Sequence, residues 1–247
     1  MTEPTKTEET ETEEVDVSAF DLNIHVHRLL MDEPFFAALS RRMDKRATNA
    51  IPTAGVTVTE EGKLQMVYNP KFFAPLSDEA RKDILKHEFY HIVFQHVTGG
   101  RFLSFRDMAP NERKIHNIAM DLAINGNLPN LPEGACFPGK GPFEHLEPHK
   151  SAEHYLRELR KMQKEGDNEG EGQPGEGGEG QPGEGGQPGS GQGNGNPLDG
   201  MDSFDDHSGW DEVDEQTKQI AEERVKEFIK DAVEEANTSS RGWGSVP

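Results

Sequence analysis

The sequence predicts a mixed α+β fold, mostly helical, with a small β-hairpin beside a central helix. Three observations carry that expectation. Apolar residues recur at helical spacing in several separate stretches. One stretch alternates apolar and polar residues on either side of a glycine. Hydrophobic residues make up only 32% of the 247, with a net charge of -20, so the packed core must be confined to part of the chain.

From Phe20 onward, Leu22, Val26, Leu29 and Leu30 fall on one helical face. Pro34 then suits the first turn of a second helix carrying Phe35, Leu39 and Met43, because a proline there forfeits no intrahelical hydrogen bond. Val56–Thr59 run into Glu60, Glu61 and Gly62, after which Leu64, Met66 and Tyr68 alternate with polar neighbours, the pattern of a hairpin with a glycine turn. Asn69 and Pro70 end it. Ser77, followed by Asp78 and Glu79, starts the next helix, since a serine oxygen can cap it and acids favour the positive end of its dipole. That helix should reach about Val97 and stop at Gly99 and Gly100. Another runs from near Asn111 to near Gly126, a loop rich in proline and glycine follows, and Ser151 caps a helix carrying Tyr155, Leu156, Leu159 and Met162.

Residues 165–200 contain 15 glycines in 36 positions, and GQPGEGG occurs at 172–178 and again at 180–186. So polar a segment reads as a flexible acidic tether, and limited proteolysis of the intact chain is expected to cut there first. Protection of 165–200 against protease would contradict this. Beyond it come DSFDDHSGW and an amphipathic helix over roughly 212–236, with Ile220, Val225, Phe228, Ile229 and Val233 on a face to bury against the preceding domain. The expected organisation is therefore an acidic disordered tail over 1–17, a domain over 18–164, the linker over 165–200 and a helical segment over 201–247 that packs back.

Charge follows the same divisions. The tail, linker and C-terminal segment carry net charges of -6, -8 and -8, whereas residues 18–164 carry +2. The acidity describes the flanking segments, and no basic stripe exists to neutralise a row of phosphates, so nucleic acid is not an expected partner. One cysteine, Cys136, excludes an intramolecular disulfide framework and a multi-cysteine zinc site. With no apolar run behind its acidic N-terminus and no run of eighteen apolar residues, the chain reads as soluble and cytoplasmic.

The sharpest chemical feature is His87-Glu88-Phe89-Tyr90-His91, an HExxH within a predicted helix. Four residues make about one turn, so both imidazoles leave the same face and can bind one tetrahedral cation, with Glu88 placed to take a proton from water there. Leu85, Phe89, Ile92 and Val93 form the apolar face, and His87 and His91 lie roughly 150° from its centre at 100° per residue, pointing out of the core into a cleft. His96 falls on the apolar face and reads as a core histidine. Tyr90 lies off the metal face and reads as packing.

A catalytic zinc needs a third protein ligand and an open position for water. The helix after the motif offers Glu112, His116 and Asp121, all flanking a core face of Ile115, Ile118, Ala119 and Leu122, and periodicity does not choose among them. Asn117, Asp121 and Asn125 do line up in one stripe. A carboxylate with amide neighbours suits a ligand with the groups that orient it.

HEFYHIVFQHVTGGR, then NIAMDLAIN, a proline-rich loop, a short helix, a low-complexity connector and DDHSGW resemble the metallopeptidase family often found beside von Willebrand A-like domains in bacteria and phages. The resemblance spans roughly 20–247, interrupted by the connector. It implies a zincin-like fold, zinc held by His87, His91 and Asp121, and Glu88 as general base. It also implies a protein or peptide substrate and a von Willebrand A-like partner protein. No DxSxS motif of an A-like domain occurs in this chain, and relatives tend to continue past the region matching Arg241–Pro247. Peptide hydrolysis further needs a group for the oxyanion, for which His207 is the candidate, against the plainer reading that Asp205, Asp206 and His207 cap the final helix. The strand Lys63–Tyr68 is expected to pair with extended substrate. The alternative to a zinc endopeptidase is a catalytically silent, metal-stabilised binding or assembly module of the same fold.

Overall fold

A computed structural model of the chain describes residues 20–98, 108–169, 207, 210 and 213–244. The acidic tail over 1–17, the connector repeats, the Gly99–Gly100 stop and Asp205–Asp206 lie outside the described residues.

The alternation around Gly62 becomes a hairpin. Strand β2 (Ala54–Val58) pairs antiparallel with β3 (Leu64–Tyr68), Val58 opposite Leu64 and Ala54 opposite Tyr68. Gly62 makes the turn at φ +68°, where an L side chain is strained, and a Cβ there would lie 3.2 Å from Ile220 Cγ2. A further strand, β1 (Asp44–Ala47), pairs in parallel with β3, so the sheet order is β1-β3-β2. The side chains of β1 are only exposed or half-buried, so no apolar alternation marks it in the sequence. Its presence overturns one expectation. β3 is the central strand with a neighbour on each side, and Lys63–Tyr68 has no edge to offer an extended substrate; among the described strands β2 and β1 hold the edges.

Helix α1 (Leu22–Asp32) leads into α2 (Pro34–Arg41), whose proline sits in the first turn; Met43 lies just beyond α2 and is still buried. The short α3 (Pro70–Phe73) is capped by the Asn69 side chain, which accepts from the Lys71 N–H. Helix α4 (Asp78–Val93) begins where the sequence placed it, with Ser77 Oγ accepting the Ala80 N–H at 3.2 Å. It packs against β2, α1, α2 and a fifth helix, α5 (Pro110–Asn125), and it is buried along both sides, with Ile84, Leu85, Phe89 and Ile92 in the core. Asp83 ties α4 to the loop after α5 by accepting from the backbone and side-chain N–H groups of Asn130 at 2.8 and 3.0 Å.

Helix α6 (Ala152–Glu169) lies along α5 and continues five residues into the glycine-rich stretch. The helix α7 (Glu215–Gly244) starts later than periodicity indicated, because Asp214 caps it by accepting the Thr217 N–H at 2.8 Å, and it also runs further. It packs along α2, where Glu235 meets Arg41 and Arg42, and Arg224 donates to the carbonyls of Glu61 and Gly62 at 2.7 and 2.6 Å. Among the described residues the fold is thus mostly helical with one three-stranded sheet. No described helix is long and apolar enough to cross a membrane.

Candidate metal centre

The HExxH turn of α4 brings the His87 and His91 rings together with centroids 4.7 Å apart and Nε2 atoms 3.0 Å apart. His87, Glu88, His91 and Asp121 are all 0% exposed. The expected open cleft is therefore absent from this conformation, because α4 is covered on its histidine side as well as its apolar side. That side is covered in part by α5, whose Asp121 places Oδ1 3.7 Å from His87 Nε2 and 3.6 Å from His91 Nε2.

The other two carboxylate-helix candidates go elsewhere. Glu112 Oε1 accepts from Arg160 Nε on α6 at 3.0 Å, and His116 Nδ1 donates to the Glu112 carbonyl at 2.8 Å. Among the described residues, His87, His91 and Asp121 are the one group of three with a ligand atom each within 4.8 Å of the others. Asn125, one turn beyond Asp121, decides how His87 is presented. Its Nδ2 donates to the Cys136 carbonyl at 2.8 Å, so its Oδ1 is the atom facing His87 Nδ1, also at 2.8 Å. His87 therefore carries its proton on Nδ1 and turns a lone pair toward His91 and Asp121.

This donor set fits a divalent cation. Bonds of 2.0–2.2 Å to a tetrahedral ion place ligand atoms about 3.4 Å apart, and the three separations of 3.0, 3.6 and 3.7 Å bracket that figure. Two carboxylates and two imidazoles removed from water also carry a desolvation cost that a charge of +2 offsets. A family model described as "Putative metallopeptidase domain" matches residues 21–246. The chain belongs to that family. It matches no curated protein and no solved structure.

The metallopeptidase-domain match runs through both sides of the connector, and the structure shows residues from beyond it at the site. The His207 ring lies 4.7 Å from His91 between centroids and 4.0 Å from Trp210, whose own ring is 5.2 Å from His91. His207 is buried against the metal-side helix, and the cap of α7 is Asp214 instead. No spacing signal in the sequence marks Trp210. It is 2% exposed and its indole N–H donates to the Val56 carbonyl on edge strand β2 at 2.6 Å. Replacing Trp210 by Phe keeps an aromatic there but strands that buried carbonyl, and should lower the unfolding free energy by about 1–2 kcal/mol. Denaturant unfolding of the full chain measures it; an unchanged midpoint and slope would show that the bond contributes nothing.

The end of α4 departs from expectation in a way that matters here. The helix stops at Val93, because Gln95 adopts φ +60° and the N–H groups of Gln95 and His96 bond back to the carbonyls of Ile92 and His91 at 2.9 and 2.8 Å. This is the glycine-type helix stop made without glycine. It swings His96 back over the last turn, where its Nδ1 lies 3.0 Å from His91 Nδ1. His96 is buried as expected, but it touches the site. A cavity of about 390 Å³ opens beside it, between the end of α4 and the start of α6, lined by Gln95, His96, His149 and Glu153 among others. Tyr90 packs edge-on to Phe36 at 5.1 Å.

Proposed function

We propose that this protein is a zinc-dependent metalloendopeptidase with a zincin-like fold, in which His87, His91 and Asp121 hold the ion and Glu88 is the general base. The observation that carries the reading is the HExxH pair converging with Asp121 on one buried point inside a chain of the metallopeptidase-domain family. A divalent cation bound there would supply Lewis acidity, polarising a carbonyl and making water easier to deprotonate. The chain's own residues do the rest. Asn125 fixes the His87 ring with its lone pair inward. Glu88 accepts the proton of the attacking water and passes it to the leaving amine, and His207, beside His91, is the candidate donor to the oxyanion.

The substrate in this reading is a protein or peptide, and the protein works in the cytoplasm alongside a von Willebrand A-like partner. Cleavage of a broad peptide library by the zinc-loaded full chain, and its loss on chelation, is the expected result. One observation favours a second reading. Complete burial of the site is what a closed structural metal centre shows, so a metal-stabilised binding module is the alternative. A chain that holds one zinc and cleaves nothing in the library would support that alternative and contradict the first.

A further inference from the structure

We infer that His96 is a positioning residue for His91, exchanging the direction of their shared hydrogen bond when the metal site fills. The inference rests on the reading above that His87 and His91 bind the ion through Nε2.

Four contacts form one line through the site: His96 Nδ1 to His91 Nδ1 at 3.0 Å, His91 Nε2 to His87 Nε2 at 3.0 Å, His87 Nδ1 to Asn125 Oδ1 at 2.8 Å, and Asn125 Nδ2 to the Cys136 carbonyl at 2.8 Å. The last two are fixed in direction, since a carbonyl only accepts. His87 Nε2 is thus an acceptor in its neutral form. Without metal, these four contacts are satisfied together if His91 donates from Nε2 to His87, beside Asp121 Oδ1 at 3.6 Å, and His96 donates from Nδ1 to His91. With metal, that arrangement is impossible. Both Nε2 atoms must offer lone pairs to the ion, so His91 carries its proton on Nδ1 and donates to His96 Nδ1, which must now accept.

The proton count balances. One proton leaves His91 Nε2, one crosses from His96 Nδ1 to His91 Nδ1, and one is taken up at His96 Nε2. Both rings stay neutral throughout. A neutral imidazole can make this exchange because each ring nitrogen serves as donor or acceptor. His96 is 3% exposed and lines the cavity of about 390 Å³ at the end of α4. The left-handed Gln95 is what brings the ring there, so the unusual helix stop has a chemical consequence.

Histidine ring ¹⁵N NMR of the full chain, without and with one equivalent of Zn²⁺, reads the tautomers directly. His96 should move from the Nδ1–H to the Nε2–H form and His91 the opposite way. His96→Phe, which offers neither donor nor acceptor, should weaken zinc affinity in chelator competition by about 10–100-fold. His96→Gln, whose amide can present either N–H or oxygen, should stay within about 5-fold of wild type, close to the wild-type outer-shell contact. Equal weakening by Phe and Gln, zinc affinity unchanged in the Phe variant, or a His96 that keeps its proton on Nδ1 in the loaded protein would overturn the inference while leaving the peptidase reading intact. If the Phe variant fails to fold, the wild-type tautomer shift decides alone. A wild-type chain whose His87 and His91 signals ignore zinc overturns both.

Discussion

Glu88→Gln is expected to leave the protein holding one zinc ion and to reduce peptide cleavage by at least about 100-fold, since a positioned general base contributes on the order of 10²–10⁴ in rate. The substitution preserves side-chain size in a place that is entirely buried, so packing around α4 should be kept. What it removes is the ability to accept a proton. Metal content and turnover are therefore expected to separate cleanly: unchanged zinc by elemental analysis, with kcat lost. Cleavage that survives in Glu88→Gln would show that another group takes the proton. Loss of the zinc along with activity would show that Glu88 binds the ion instead of acting on water beside it.

The second large effect concerns the third ligand. Asp121→Ala should weaken zinc affinity by more than about 100-fold, beyond what loss of an outer-shell contact costs, because the Asp121 oxygen is one of three groups converging on the same point. Glu112→Ala should leave affinity within a few-fold of wild type. Glu112 is half-buried and spends its carboxylate on Arg160 across the α5–α6 contact. Competition with a chromophoric chelator measures both variants side by side. The reverse outcome, tight binding without Asp121 and weak binding without Glu112, would place the chain among enzymes with a glutamate ligand.

Much of this site is legible in the sequence because its positions are local. Ser77 with its two acids marks the start of α4, four-residue spacing puts His87 and His91 on one side, and the Asn117–Asp121–Asn125 stripe marks the matching side of α5. The hairpin is legible for the same reason, since alternation and Gly62 are both short-range signals. What is not legible depends on tertiary contact or on backbone choices that composition does not force. Strand β1 has no apolar alternation and exists because β3 offers it hydrogen bonds. The stop of α4 relies on a glutamine in a conformation that glycine usually supplies, so a reading that waits for Gly99 runs the helix too far and puts His96 in the wrong place. Trp210 reaches the site across the connector, and no spacing rule predicts that its indole meets the Val56 carbonyl. The closed histidine side of α4 is likewise a property of the assembled fold: periodicity shows which face is polar, but not what covers it.

The proposed activity depends on two imidazoles and one carboxylate acting together on a single ion. Zinc titration of the full-length chain under chelator competition, repeated on His91→Ala, tests this most directly. Binding of one equivalent by the wild type, with a loss of affinity of more than about 100-fold in the variant, is the expected result. A wild-type chain that stays metal-free in excess zinc, or a His91→Ala chain that binds as tightly as the wild type, would contradict it.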